Sequence, residues 1–159
     1  MAGHLDARGV IASCPSCGRQ NRLPFAALAR SIRCGSCRTL LPATAAPVEA
    51  PDAAAFRAAV ADGALPLIVD FWAPWCGPSR MVAPELERVA RDAAGQYLVV
   101  KVNTDELQEI GQEFRIRSIP TLAIMFRGRE LARVAGARSA AEIRAFADQS
   151  VAEHVPRAS

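Results

Sequence analysis

The chain has 159 residues, of which 51% are apolar and 22% charged, with a formal net charge of +3. That balance suits a globular fold and excludes a disordered chain, a collagen and a coiled coil. No apolar run reaches the roughly 18 residues needed to cross a bilayer, since Asp70 interrupts the best candidate, Leu65 to Trp75. The first twenty residues carry no apolar stretch between a basic start and a small-residue cleavage site. No secretory signal is therefore expected, and the expected setting is a reducing cytoplasm.

The first module in chain order spans residues 1–42 and is basic. Residues 1–46 hold six Arg against one acid, Asp6, while residues 47–159 hold thirteen basic and fifteen acidic side chains. Cys14-Pro-Ser-Cys17 and Cys34-Gly-Ser-Cys37 are separated by sixteen residues. Two residues between cysteines let a tight turn aim both sulfurs at one ion, and two such knuckles complete a tetrahedron. The paired spacing favours this over free or disulfide-bonded thiols. Cysteine fills all four positions, leaving none open for a substrate water, so one structural Zn2+ is the expected cofactor. Gly18 and Gly35 are candidates for positive φ in the knuckles. Val10-Ile11 and Thr39-Leu40-Leu41 are expected to be the short strands of a zinc ribbon. Four thiolates on one Zn2+ would lower the module's charge, and Phe25 is its single aromatic residue. Nucleic-acid binding is therefore less favoured than a solvated or partner-facing surface.

Residues 43–51 hold Pro47 and Pro51, follow directly on Pro42, show no periodicity and read as a linker or a first edge strand. From residue 52 to 159 a main domain is expected. Asp52 is placed to cap a helix that runs to Asp62 and buries Phe56 and Val60. Leu65–Trp72 reads as a strand buried on both faces. After Ala73-Pro-Trp-Cys-Gly-Pro78 a helix to about Ala94 buries Val82, Leu86, Val89 and Ala93, with Pro84 expected to kink it. Tyr97–Val102 is the next strand, followed by a helix over Glu106–Phe114. Thr121–Phe126 and Leu131–Ala135 form a hairpin across Arg127-Gly128-Arg129. Ser139 and Glu142 make a capping box for a last helix that buries Ile143, Phe146 and Ala147. This order predicts an α/β fold, a mixed sheet with helices on both faces.

Val69-Asp-Phe-Trp-Ala-Pro-Trp-Cys-Gly-Pro78, Arg117-Ser-Ile-Pro-Thr121 and Gly136 closely resemble the thioredoxin family over residues 52–151. With the four-cysteine segment in front, the chain resembles the zinc-containing bacterial thioredoxins. The resemblance implies the thioredoxin fold and a protein-disulfide oxidoreductase transferring electrons to disulfide-containing client proteins. Cys76 would be the nucleophile, and the start of a helix and Arg80 both favour its thiolate. Pro120 would match the family's cis-proline beside the nucleophile. Trp75, Gly77, Pro78, Ile119 and Gly136 would form the apolar surface that docks clients, with Trp72 shared between surface and core. Asp70 would match the buried acid that serves the resolving cysteine, and Lys101 the lysine near it.

One position departs from the pattern, because Ser79 stands where the family carries the resolving cysteine. An alcohol cannot resolve a mixed disulfide, although the Ser79 hydroxyl is expected to donate to the Cys76 thiolate. The chain is thus expected either to trap clients or to work as a monothiol enzyme. Thioredoxin reductase or glutathione would be its electron donor. The alternative is a client-binding or holdase module that uses the same apolar surface without redox turnover. His4 and His154 are not expected to act as ligands or bases.

Overall fold

The computed structural model describes residues 3–42 and 44–155. In chain order the described elements are β1 (His4–Asp6), β2 (Gly9–Ser13), β3 (Gln20–Pro24), a 3-10 turn at Phe25–Ala27 and β4 (Val48–Glu49). They continue with α1 (Ala53–Asp62), β5 (Leu67–Trp72), α2 (Gly77–Asp92), β6 (Leu98–Asn103) and α3 (Gln108–Glu113). The last three are β7 (Thr121–Phe126), β8 (Arg129–Ala135) and α4 (Ala140–His154). The strands form one sheet in the order β3-β2-β1-β4-β6-β5-β7-β8. Strands β1, β4, β6 and β5 are parallel neighbours, and the remaining pairs are antiparallel. The expected mixed sheet with helices on both faces is therefore present. Among the described residues no helix is long and apolar enough to cross a membrane.

The period of two along β5 and β6 divides the core. Leu67, Val69, Phe71, Leu98, Val100 and Val102 pack on the side that carries α1 and α3. Ile68 and Val99 pack on the other side, against Val82, Leu86 and Val89 of α2 and Ile143 and Ala147 of α4. Phe56, Phe71 and Phe114 meet edge-on or tilted, with ring centroids 5.7–6.3 Å apart.

Several helix ends follow their expected chemistry. Asp52 accepts from the Ala55 N–H at 2.8 Å and caps α1. Ser139 and Glu142 form the reciprocal capping box of α4. Phe146 is only half-buried, whereas Ile143 and Ala147 are fully so.

The N-terminal segment differs from expectation in three ways. Its third strand is Gln20–Pro24, between the two cysteine pairs, and Leu40 contributes only an isolated bridge to Arg33. The polar face of Gln20–Pro24 hid this strand, since only Leu23 in it is buried. Val48–Glu49 lies inside the sheet rather than at its edge, because β1 pairs on its outer side. Leu5, Val10, Leu23 and Phe25 also share one apolar cluster with Phe56 and Phe71. Residues 1–2, 43 and 156–159 of the expected modules lie outside the described residues.

Candidate active site and metal centre

Cys76 is the N-cap of α2, the end of a helix where the first-turn N–H groups lack intrahelical partners, and its side chain makes no cap hydrogen bond to them. The residue is 7% exposed. Its Sγ lies 3.5 Å from the carbonyl oxygen of Ile119, to which the thiol donates. Ile119 is joined to Pro120 by a cis peptide bond. Gly136 donates from its N–H to the Pro120 carbonyl at 2.9 Å. It does so with φ at +99°, a conformation that favours glycine. Neighbouring positions of β5, β7 and the end of β8 thus bring Cys76, Ile119, Pro120 and Gly136 together from distant parts of the chain. Trp75 beside them is 68% exposed, and Pro78 is exposed while Gly77 is half-buried.

Beneath this surface lie two buried polar groups. Asp70 is fully buried, and Ser79 is only 2% exposed. Among the described residues, neither carboxylate oxygen of Asp70 nor Ser79 Oγ has a hydrogen-bond partner. The expected bond from Ser79 to Cys76 is therefore absent, and the Cys76 thiol is turned to Ile119 instead. Burial pushes the Asp70 carboxyl up to about 7, with Lys101 opposing and Glu49 reinforcing the shift. The sheet register accounts for these neighbours. Asp70 stands opposite Lys101, and Lys101 stands opposite Glu49, on one face of three adjacent strands. Lys101 Nζ lies 3.9 Å from Glu49 and 4.5 Å from the centroid of the Trp72 ring. Trp72 is thus half-buried beneath a lysine rather than open to a client.

Three contributors were not visible in the sequence. Asp105 accepts from the Trp75 indole N–H at 3.0 Å and fixes the exposed ring. Glu49 reaches the Asp70 row only because the two-residue β4 pairs with β6. Met81 is 68% exposed on the first turns of α2, where helical spacing alone does not separate surface from core.

The four N-terminal cysteines converge at the far end of the sheet. Their sulfurs lie within 4.8 Å of one another, with Cys14 to Cys37 and Cys17 to Cys34 at 3.6 Å. These separations are far from a disulfide's roughly 2.05 Å. They are close to the ~3.8 Å edge of a tetrahedron with 2.3 Å metal–sulfur bonds. The two knuckles repeat each other. Cys14 and Cys34 donate from their N–H to Arg19 and Thr39, while Gly18 and Arg38 donate back to the Cys14 and Cys34 carbonyls. The positive-φ position is the residue after each second cysteine, Gly18 at 79° and Arg38 at 67°. Gly35, expected to take such a conformation, does not, because it sits inside its knuckle rather than at its exit. The N–H groups of Ser16 and Ser36 point at the Cys14 and Cys34 sulfurs at 3.4 Å. Backbone N–H groups of Cys37 and Ser36 pull the Cys34 thiol down to about 6. Sulfurs held together with N–H donors aimed at them suit a thiolate cluster, and the site can hold a metal ion. His4 lies in β1, and the His154 ring contacts the Ser150 carbonyl at 2.9 Å.

A family model described as thioredoxin matches residues 47–149. Thioredoxin C-3 of Corynebacterium nephridii is 37% identical over 144 residues, covering 89% of this chain and 96% of that protein. Such coverage exceeds what residues 43–159 alone could supply, so the similarity reaches into the cysteine segment. Thioredoxin 1 of a Nostoc species is 50% identical over 82 residues, covering 52% of this chain and 77% of its own length. Among solved structures, a Malassezia sympodialis thioredoxin superimposes with a TM-score of 0.61 at 29% identity. It covers 66% of this chain and 93% of that one.

Proposed function

The chain belongs to the thioredoxin family, and from that premise we propose that it is a protein-disulfide oxidoreductase whose nucleophile is Cys76. The observation that carries this reading is the sulfur at the N-terminus of α2, 3.5 Å from the Ile119 carbonyl, with the exposed Trp75 beside it. The Cys76 thiolate attacks one sulfur of a client disulfide. The client S–S bond breaks, a Cys76–client disulfide forms, and the other client sulfur leaves as a thiolate that takes up a proton. Trp75, Gly77, Pro78, Ile119 and Gly136 make the surface on which the client lies.

Resolution requires a second thiolate, and Ser79 cannot supply it. An alcohol's pKa lies far above a thiol's, and an S–O product would not persist. The chain therefore stops at the mixed disulfide and acts as a trap until an external thiol attacks. Glutathione is such a thiol, and thioredoxin reductase would support turnover only in a dithiol form. Asp70 has no resolving cysteine to serve and remains as a buried acid below the site.

Cys14, Cys17, Cys34 and Cys37 hold one structural Zn2+ in this reading. The ion would bind two turns that have little core of their own, and no catalytic step passes through it. Four metal-binding thiols suit a reducing cytoplasm. The exposure of Trp75 and Met81 favours, as a second reading, client binding without redox turnover.

Mass spectrometry after incubation with a disulfide-bonded client tests the first reading. A one-to-one adduct on Cys76 that persists in this chain, but turns over in Ser79→Cys, is the expected result. Absence of any adduct would overturn it.

A further inference from the structure

A groove of about 440 Å³ is lined by Trp75, the residue before Cys76, and by Ile119, the residue whose carbonyl accepts from the Cys76 thiol. Its size is that of a small-molecule cleft, roughly 300–1,000 Å³. Arg115 and Arg117 are its charged lining residues, and both are exposed. Among the described residues neither guanidinium makes an ion pair or a hydrogen bond. The nearby acids are already engaged: Glu113 by Arg57 at 2.9 Å, and Asp105 by the Trp75 indole at 3.0 Å. The segment bearing the two arginines is fixed from behind. Arg133 donates to the Phe114 and Arg115 carbonyls at 2.7 and 3.5 Å, while Glu130 clamps its guanidinium at 2.6 Å. Arg115 is held there at φ 53°, the left-handed region that few non-glycine residues adopt. Gln108 and Gln112 add amide donors and acceptors along the wall.

We propose that this groove binds a small thiol bearing carboxylates, of the glutathione class, and that this thiol takes the step that Ser79 cannot. The proposal deepens the reading above and rests on it. The bound thiolate attacks the Cys76 sulfur of the mixed disulfide. The Cys76–client bond breaks, the client sulfur leaves as a thiolate and is protonated, and a disulfide forms between Cys76 and the small thiol. A second molecule of the small thiol, as thiolate, attacks that disulfide at the small thiol's sulfur. Cys76 leaves as thiolate, and the two small thiols depart as their disulfide. Two small thiols thus supply the two electrons and two protons that reduce one client disulfide. Arg115 and Arg117 pair with the carboxylates and hold the attacking sulfur at the open side of Cys76.

Stopped-flow release of a neutral fluorescent cysteine peptide from its Cys76 mixed disulfide tests this on the full chain, with reduced glutathione or uncharged 2-mercaptoethanol. Rate constants are compared per thiolate. At low salt glutathione is expected to be faster by about tenfold. The ratio should fall toward one in the Arg115→Gln/Arg117→Gln variant, and in the parent at high salt. A ratio unchanged by the double substitution would overturn the proposal. A ratio near one in the parent would also overturn it, while leaving resolution by external thiols standing. If the mixed disulfide never forms, or neither thiol releases the peptide, the underlying reading fails and the proposal falls with it.

Discussion

The Cys76 thiol donates to the Ile119 carbonyl oxygen across 3.5 Å, joining the start of α2 to a loop 43 residues later in the chain. That contact places the sulfur at the mouth of the site while leaving Cys76 only 7% exposed. Cys76→Ala is expected to abolish covalent capture of a disulfide client, read by non-reducing electrophoresis, with the fold retained by circular dichroism. Non-covalent capture that survives the substitution unchanged would favour the client-binding reading instead.

Asp70 links the site to pH. Its carboxyl titrates at about 7 in the folded chain against 3.8 as the ordinary value, with burial as the main cause. Between those values the folded state holds one proton more than the unfolded state, so stability falls as pH rises through this window and then levels off. Asp70→Asn removes the dependence. Relative to the parent it should gain on the order of 3–4 kcal/mol between pH 4 and pH 8, by denaturant unfolding at each pH. An equal difference at both pH values would show that Asp70 does not titrate in this range.

The four-cysteine cluster is coupled to the main core through Leu5, Val10, Leu23 and Phe25, which pack with Phe56 and Phe71. Elemental analysis should find one zinc per chain, and near zero in Cys34→Ser. Loss of the ion should lower the melting temperature of the whole chain by about 5 °C or more. A melting temperature unaffected by chelation would separate the ion from the fold.

Phe56 sits between Phe71 and Phe114, with its ring fully buried. Phe56→Ala should cost about 3–5 kcal/mol in urea unfolding, since three elements lose their common contact. A cost below about 1 kcal/mol would mean that the pocket collapses freely around the smaller side chain.

Much of this was legible in the residues themselves. Asp52, Ser139 and Glu142 announce their helices because capping is local chemistry. Leu67–Trp72 announces a central strand because both of its faces are apolar apart from Asp70. The two cysteine pairs announce their cluster because short knuckles leave few other geometries. Features that depend on pairing at a distance were hidden. Gln20–Pro24 becomes a strand through its partner β2, and Val48–Glu49 through β1 and β6. Glu49 and Asp105 gained their places near Asp70 and Trp75 in the same way, from register and loop packing that no local pattern encodes. The missing bond between Ser79 and Cys76 likewise follows from where Ile119 lies.

NADPH-coupled insulin reduction with a thioredoxin reductase, comparing this chain with Ser79→Cys with and without glutathione, tests the central claim most directly. The account predicts that only Ser79→Cys turns over without glutathione, while the parent stalls as a mixed disulfide at Cys76. Sustained turnover by the parent with reductase and NADPH alone would contradict it.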